Sequence, residues 1–164
     1  MRNIFRKNVA NDIGLWAVWS TRHKKGRWNF HYAQVRPFSV ALKFEMYLDC
    51  SAFVAWCYRQ AGAPDPYHLG YAGIGNTEML LAKGTRIPVS KVRPGDVVVY
   101  SADRPVSEQH AAVIVAKGDD PLTVSMGQEG DPSFVYVSHD GRKPTYLRFD
   151  TSLRWKPTPF PPAA

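Results

Sequence analysis

Cysteine is scarce in this chain: Cys50 and Cys57 are the only two in 164 residues. If both lie on one helix, seven residues put them roughly 10 Å apart, beyond disulfide reach. A disulfide scaffold is therefore excluded, and a reducing compartment of synthesis is implied. No apolar run approaches membrane-spanning length, which excludes a transmembrane helix. The basic segment Met1 to Ala10 lacks the apolar core of a secretory signal, so exit from the cell is expected to depend on membrane lysis or on delivery within an assembly. Acidic residues are outnumbered 14 to 21, giving a net charge of +7 and a pI near 9.5. Such a surface suits a polyanion: nucleic acid, anionic membrane or a phosphate-rich bacterial wall. No nucleic-acid recognition motif is present. The cluster Arg22, His23, Lys24, Lys25 and Arg27, beside Trp19 and Trp28, could form a phosphate patch with stacking aromatics. A charge run without a motif is more often a solvated loop, so no specific nucleic-acid partner is expected.

What is present is one domain's worth of core, with 45% hydrophobic and 21% charged residues. The first half reads as helical and the second as β. Helices are expected over residues 4–20, over the stretch from Cys50 to Ala61, and over Thr77 to Lys83, with residues 62–76 a long Gly/Pro/Tyr loop of the kind usually functional or mobile. Strands are expected at Val97–Tyr100, His110–Ala116, Leu122–Met126, Phe134–Ser138 and Thr145–Phe149, with turn signals between them. Short connections imply an antiparallel meander. The expected fold class is α+β: N-terminal helices with the Cys50 helix packed on a five-stranded antiparallel sheet. Residues 1–150 are expected to form the domain, and 151–164 a Pro-rich tail that does not fold on its own.

The chemistry centres on Asp49-Cys50-Ser51-Ala52-Phe53. Cys50, Phe53, Val54, Cys57 and Ala61 share one helical face, and Gly62 with Pro64 ends the helix. Asp49 is the expected N-cap. Cys50 then lies in the first turn, where the helix terminus and a nearby imidazolium should lower the thiol pKa. A buried small hydrophobe is the alternative for either cysteine, and it suits Cys57 better. His110 opens a later, apolar strand. A cysteine starting a helix and a histidine starting a strand is the papain-like arrangement for attack on an amide carbonyl.

Asp49-Cys50-Ser51-Ala52-Phe53, Tyr58-Arg59-Gln60-Ala61-Gly62-Ala63-Pro64-Asp65-Pro66, Gly95-Asp96-Val97-Val98-Val99-Tyr100 and His110-Ala111-Ala112-Val113 together resemble the NlpC-type cell-wall cysteine peptidases. They are most similar to the N-terminal peptidase domain of endolysins from phages of mycobacteria and related actinobacteria. The resemblance implies a papain-like α+β fold without metal or cofactor. It also implies cleavage of peptidoglycan stem peptides, typically between D-glutamyl and diaminopimelate, in phage lysis or wall penetration. The setting would be synthesis in the host cytoplasm and action at the wall, with other phage tail proteins as further partners. Cys50 matches the nucleophile and His110 the base, while Tyr32, Asp49 and Ser51 match residues lining the site and binding substrate. In the related endolysins a third histidine stands where this chain has Met126, and a thioether cannot accept the imidazole N–H as a carboxylate or amide would. The third catalytic group is then Ser125, Gln128 or Glu129, a water, or nothing, with Gln128 the residue assigned. The alternative function is a catalytically weakened structural or wall-binding subunit of a phage tail.

Overall fold

The structure is a computed structural model and describes residues 8–22 and 28–159. Helix α1 (Val9–Arg22) leads to strands β1 (Asn29–Tyr32) and β2 (Glu45–Leu48), which pair in parallel. Helices α2 (Cys50–Ala61) and α3 (Thr77–Lys83) follow. The rest is β3 (Thr85–Ile87), β4 (Val97–Tyr100), β5 (His110–Ala116), β6 (Leu122–Met126), β7 (Pro132–Tyr136), the short α4 (Val137–Asp140) and β8 (Pro144–Arg148). The expected helices α2 and α3 and the expected fold class are present. The start of the first expected helix and most of the basic cluster lie outside the described residues.

The sheet corrects the expectation of five strands. It has six, in the order β3-β8-β4-β5-β6-β7. The added strand is Thr85-Arg86-Ile87, too short and too exposed to show an alternating pattern. Nor is the sheet a plain meander. β4 to β7 follow one another, but β8 returns to pair with β4 on its far side and carries β3 with it. β4 is thereby flanked on both edges, and its Val-Val-Val-Tyr is buried on both faces, which explains an uninterrupted apolar run where alternation would mark a half-exposed strand.

Alternate residues divide the sheet into two faces. Val97, Val99, Ala111, Val113, Val124 and Met126 pack with α1 and α2, whereas Val98, Tyr100, Ala112 and Ile114 form a smaller cluster on the opposite face. Between the helices and the sheet, Trp16, Trp19, Trp56, Phe30 and Phe53 interlock edge-on and stacked. Trp19 is buried there, so it cannot serve as a stacking platform for a nucleic acid.

Helix α2 is buried along nearly its whole circumference, as suits a core helix. Its C-terminal carbonyls are satisfied from the tail. The amides of Arg154 and Trp155 donate to Gly62 O at 2.9 and 3.1 Å, and Thr158 N donates to Gln60 O at 2.8 Å. Gly62 caps the helix with φ 80°, and a Cβ there would stand 2.5 Å from Trp155 O. Residues 151–159 contain no helix or strand, yet they lie against α2 through these bonds and through the Arg59 guanidinium 5.3 Å from the centre of the Trp155 ring.

Candidate active site

Helix α2 begins at Cys50 because Asp49 stays extended and supplies the cap. Its Oδ1 accepts from Ala52 N at 2.8 Å and from Ser51 Oγ at 3.0 Å. Its Oδ2 is held by Arg36 Nη2 at 2.8 Å, while Arg36 Nε donates to Gly75 O at 3.0 Å. The first turn is braced from below as well, by Tyr67, whose hydroxyl donates to Ser51 O at 2.7 Å. Asp65 fixes Tyr67 in turn by accepting the amides of Tyr67, Leu69 and Tyr71 at 3.0, 3.0 and 2.9 Å. The 62–76 loop is therefore chiefly a buttress of the cysteine turn. Of that loop only its last residue, Asn76, reaches the cleft.

That cleft, of about 1000 Å³, opens where the first turn of α2 meets the start of β5. Tyr32, Asp49, Cys50, Ser51, His110 and Gln128 all line it, so the structure brings together every residue the sequence pointed to. Residues that sequence reasoning missed line it too: Arg36, Gln109, His139, Asp140 and Arg142. None of these carries a local signal: Arg36, Gln109 and Arg142 are polar residues outside helices and strands, and His139 and Asp140 close the one-turn helix α4.

Cys50 is 8% exposed. The backbone N–H groups of Ala111, Ser51 and Cys50 itself lie close enough to favour its thiolate, which sets the sulfur near the start of β5, beside His110. Contrary to the sequence expectation, the thiol is not acidified. Burial, followed by the Asp49 carboxylate, pushes its pKa up to about 11, and the three amides offset only part of that. His110 moves the other way. Burial first, then the Arg142 cation, lowers its pKa, against the opposing pull of Asp140, Glu129 and Asp49. Its ring stacks on Tyr100 at 6.0 Å with a 13° tilt. Near neutral pH the resting pair is thus a thiol and a neutral imidazole. Cys57, fully buried, is raised further by desolvation and stays inert.

β6 corrects the placing of Met126 at the third catalytic position. Ser125 and Gly127 line the cleft, but Met126 between them is 0% exposed and packs with Val124 against the helices. Strand alternation sends it into the core. Gln128 borders the cleft, and among the described residues no hydrogen bond joins it to His110. Among the described residues no three His, Cys, Asp or Glu side chains are grouped to hold a metal ion, and no helix is long and apolar enough to cross a membrane.

A capped helix presenting a cysteine beside an antiparallel sheet, with a histidine opening the adjoining strand, defines an α+β fold of the cysteine-peptidase kind. The chain belongs to the NlpC/P60 family, whose profile matches residues 29–143. Solved structures show the same fold. NlpC2 from Trichomonas vaginalis superimposes with a TM-score of 0.56 at 12% identity, covering 91% of this chain and 47% of that one. The peptidoglycan hydrolase RipB from Mycobacterium tuberculosis gives 0.53 at 16% identity, covering 86% and 66%. The resuscitation promoting factor interacting protein RipA, mutated at its cysteine, gives 0.52 at 15%, covering 88% and 65%. This chain spans about half to two thirds of the length of these proteins.

Proposed function

We propose that the protein is a peptidoglycan endopeptidase that cleaves stem-peptide amide bonds, such as that joining D-glutamyl to diaminopimelate, through Cys50. One observation carries this: a cysteine at the N-terminus of a capped helix and a histidine on the adjoining strand share one open cleft. Membership of the NlpC/P60 family and the likeness to RipB, a peptidoglycan hydrolase, support the substrate. The setting we assign is the one the endolysin resemblance implies, opening of the wall in phage lysis or entry.

The resting protonation states dictate the order of events. His110 takes the Cys50 proton as the sulfur attacks the carbonyl carbon, because little thiolate stands ready beforehand. Negative charge on the carbonyl oxygen is met by N–H groups at the start of α2. The C–N bond breaks, His110 protonates the departing amine, and a thioester remains on Cys50. Water then attacks that thioester, giving its proton to His110, and the carboxylic acid leaves as Cys50 regains its hydrogen. Tyr32, Asp49 and Ser51 are assigned to substrate binding, with Arg36 fixing the Asp49 carboxylate. The net charge of +7 favours adhesion to an anionic wall.

Purified diaminopimelate-type walls incubated with the protein should release soluble peptide fragments, identified by mass spectrometry. Cys50→Ala should release none. Walls bound but left intact by the unaltered protein would overturn the hydrolase reading and favour a wall-binding role.

A further inference from the structure

The two-stranded sheet has an outer face that the core does not use. Along β1 and β2 alternate residues part: Phe30, Met46 and Leu48 pack inward, while Asn29, His31, Glu45 and Tyr47 lie on the other side. The parallel register sets Asn29 beside Glu45 and His31 beside Tyr47, and these four side chains hold one another. Asn29 Nδ2 donates to Glu45 Oε1 at 2.9 Å, Glu45 Oε2 pairs with His31 Nε2, and the His31 ring stacks on Tyr47 at 4.9 Å with a 19° tilt. Tyr47 is nevertheless 53% exposed. β1 also walls a side cavity of about 420 Å³, whose opposite wall is the turn between β6 and β7 at residues 128–131. Tyr32, Gln128 and Glu129 line both this cavity and the Cys50 cleft, so the two adjoin.

We propose that the side cavity and the outer face of β1 and β2 form a saccharide subsite, which holds the N-acetylated hexosamine strand of the wall while the attached stem peptide lies in the Cys50 cleft. The identity of the ligand rests on the hydrolase reading. A stem peptide hangs by one end from its sugar strand, so that strand must pass one mouth of the cleft. A hexosamine ring presents an apolar C–H face, which suits the exposed Tyr47 ring. His31 already holds that ring in place, so little ordering entropy is lost on binding. The sugar's hydroxyl and acetamido groups need donors and acceptors, which Asn29, His31, Glu45 and Gln128 supply. The cavity falls within the roughly 300–1,000 Å³ of small-molecule sites. Glu45, Glu129 and Asp131 place carboxylates along the same path. They oppose a phosphate polymer or a nucleic acid here, despite the net charge of +7, and favour an uncharged polymer.

The test uses a soluble hexamer of N-acetylglucosamine, which carries no peptide and cannot be turned over. It is titrated into the full chain and followed by amide NMR. Shifts are expected at residues 29–32, 45–47 and 128–131. Tyr47→Ala should weaken binding about tenfold, and Tyr47→Phe, which keeps the ring, should restore it. Gln128→Ala, across the cavity, should weaken binding as well, with thermal unfolding confirming that each variant is folded. Absence of binding at millimolar hexamer, shifts confined to other surfaces, or undiminished binding by both Tyr47→Ala and Gln128→Ala would overturn the proposal. So would a single-stranded oligonucleotide taking this face in place of the sugar. Sugar binding by a protein that leaves walls undigested would count against the hydrolase reading alone.

Discussion

Alkylation of Cys50 by iodoacetamide probes the resting state of the site directly. With its pKa pushed up to about 11, the thiol holds roughly one part in a thousand as thiolate at pH 8, about 200-fold less than an ordinary cysteine. A more basic thiolate is also more nucleophilic. A Brønsted coefficient of about 0.4–0.5 returns close to tenfold over that interval. The net expectation is alkylation roughly twentyfold slower at pH 8 than for a cysteine in an unstructured peptide. The rate should climb about tenfold per pH unit from pH 7 to 10 and bend only as pH approaches 11. Cys57 is 0% exposed and should stay silent, so the adduct mass read by intact mass spectrometry reports Cys50, with Cys50→Ala as the blank. His110→Ala should leave the shape of the profile unchanged. A plateau beginning below pH 7 would refute the reasoning, since it would mean a preformed thiolate–imidazolium pair.

Other perturbations follow from the same geometry. The acid limb of kcat/KM should lie below the ordinary imidazole range. His110 must be neutral to act, its folded pKa is lowered, and activity should be lost only as pH falls through that lowered value. Asp49→Ala removes the α2 cap and strands the partly exposed Arg36. Thermal unfolding should show a loss of about 2 kcal/mol, combining a cap worth about 1 with a discounted ion pair. Met126→His puts a polar ring into the helix-side core. It should cost about 2–4 kcal/mol in denaturant unfolding and bring no gain in wall digestion. Gly62→Ala forces a methyl toward Trp155 O at a backbone φ of 80°. It should destabilise by about 1 kcal/mol or more and increase proteolysis of the tail.

The parts legible in the sequence were those with local causes. Asp49 as cap, Gly62 as left-handed terminator and the apolar spacing between them locate α2, and all three lie within a dozen or so residues of one another. The same holds for α3, framed by Asn76 and Gly84. What escaped depends on distant partners. β3 is a strand only because β8 lies beside it, and β8 reaches β4 by passing the intervening hairpins. Arg36 holds Asp49 across thirteen residues, and nothing around it marks it as a clamp. Met126 was misplaced because motif alignment counts residues, whereas strand alternation decides which face each one meets. The thiol pKa was misjudged for a related reason. A helix terminus is visible in sequence, but the burial that outweighs it appears only once the cleft is assembled.

The most direct test of the account is to trap its covalent intermediate. Short mixing of the protein with a soluble stem peptide, acid quenching and intact mass measurement should show one acyl group on the chain. Peptide mapping should place it on Cys50, with the adduct absent in Cys50→Ala and strongly reduced in His110→Ala. Digestion of the peptide without any adduct on Cys50, or undiminished digestion by Cys50→Ala, would contradict it.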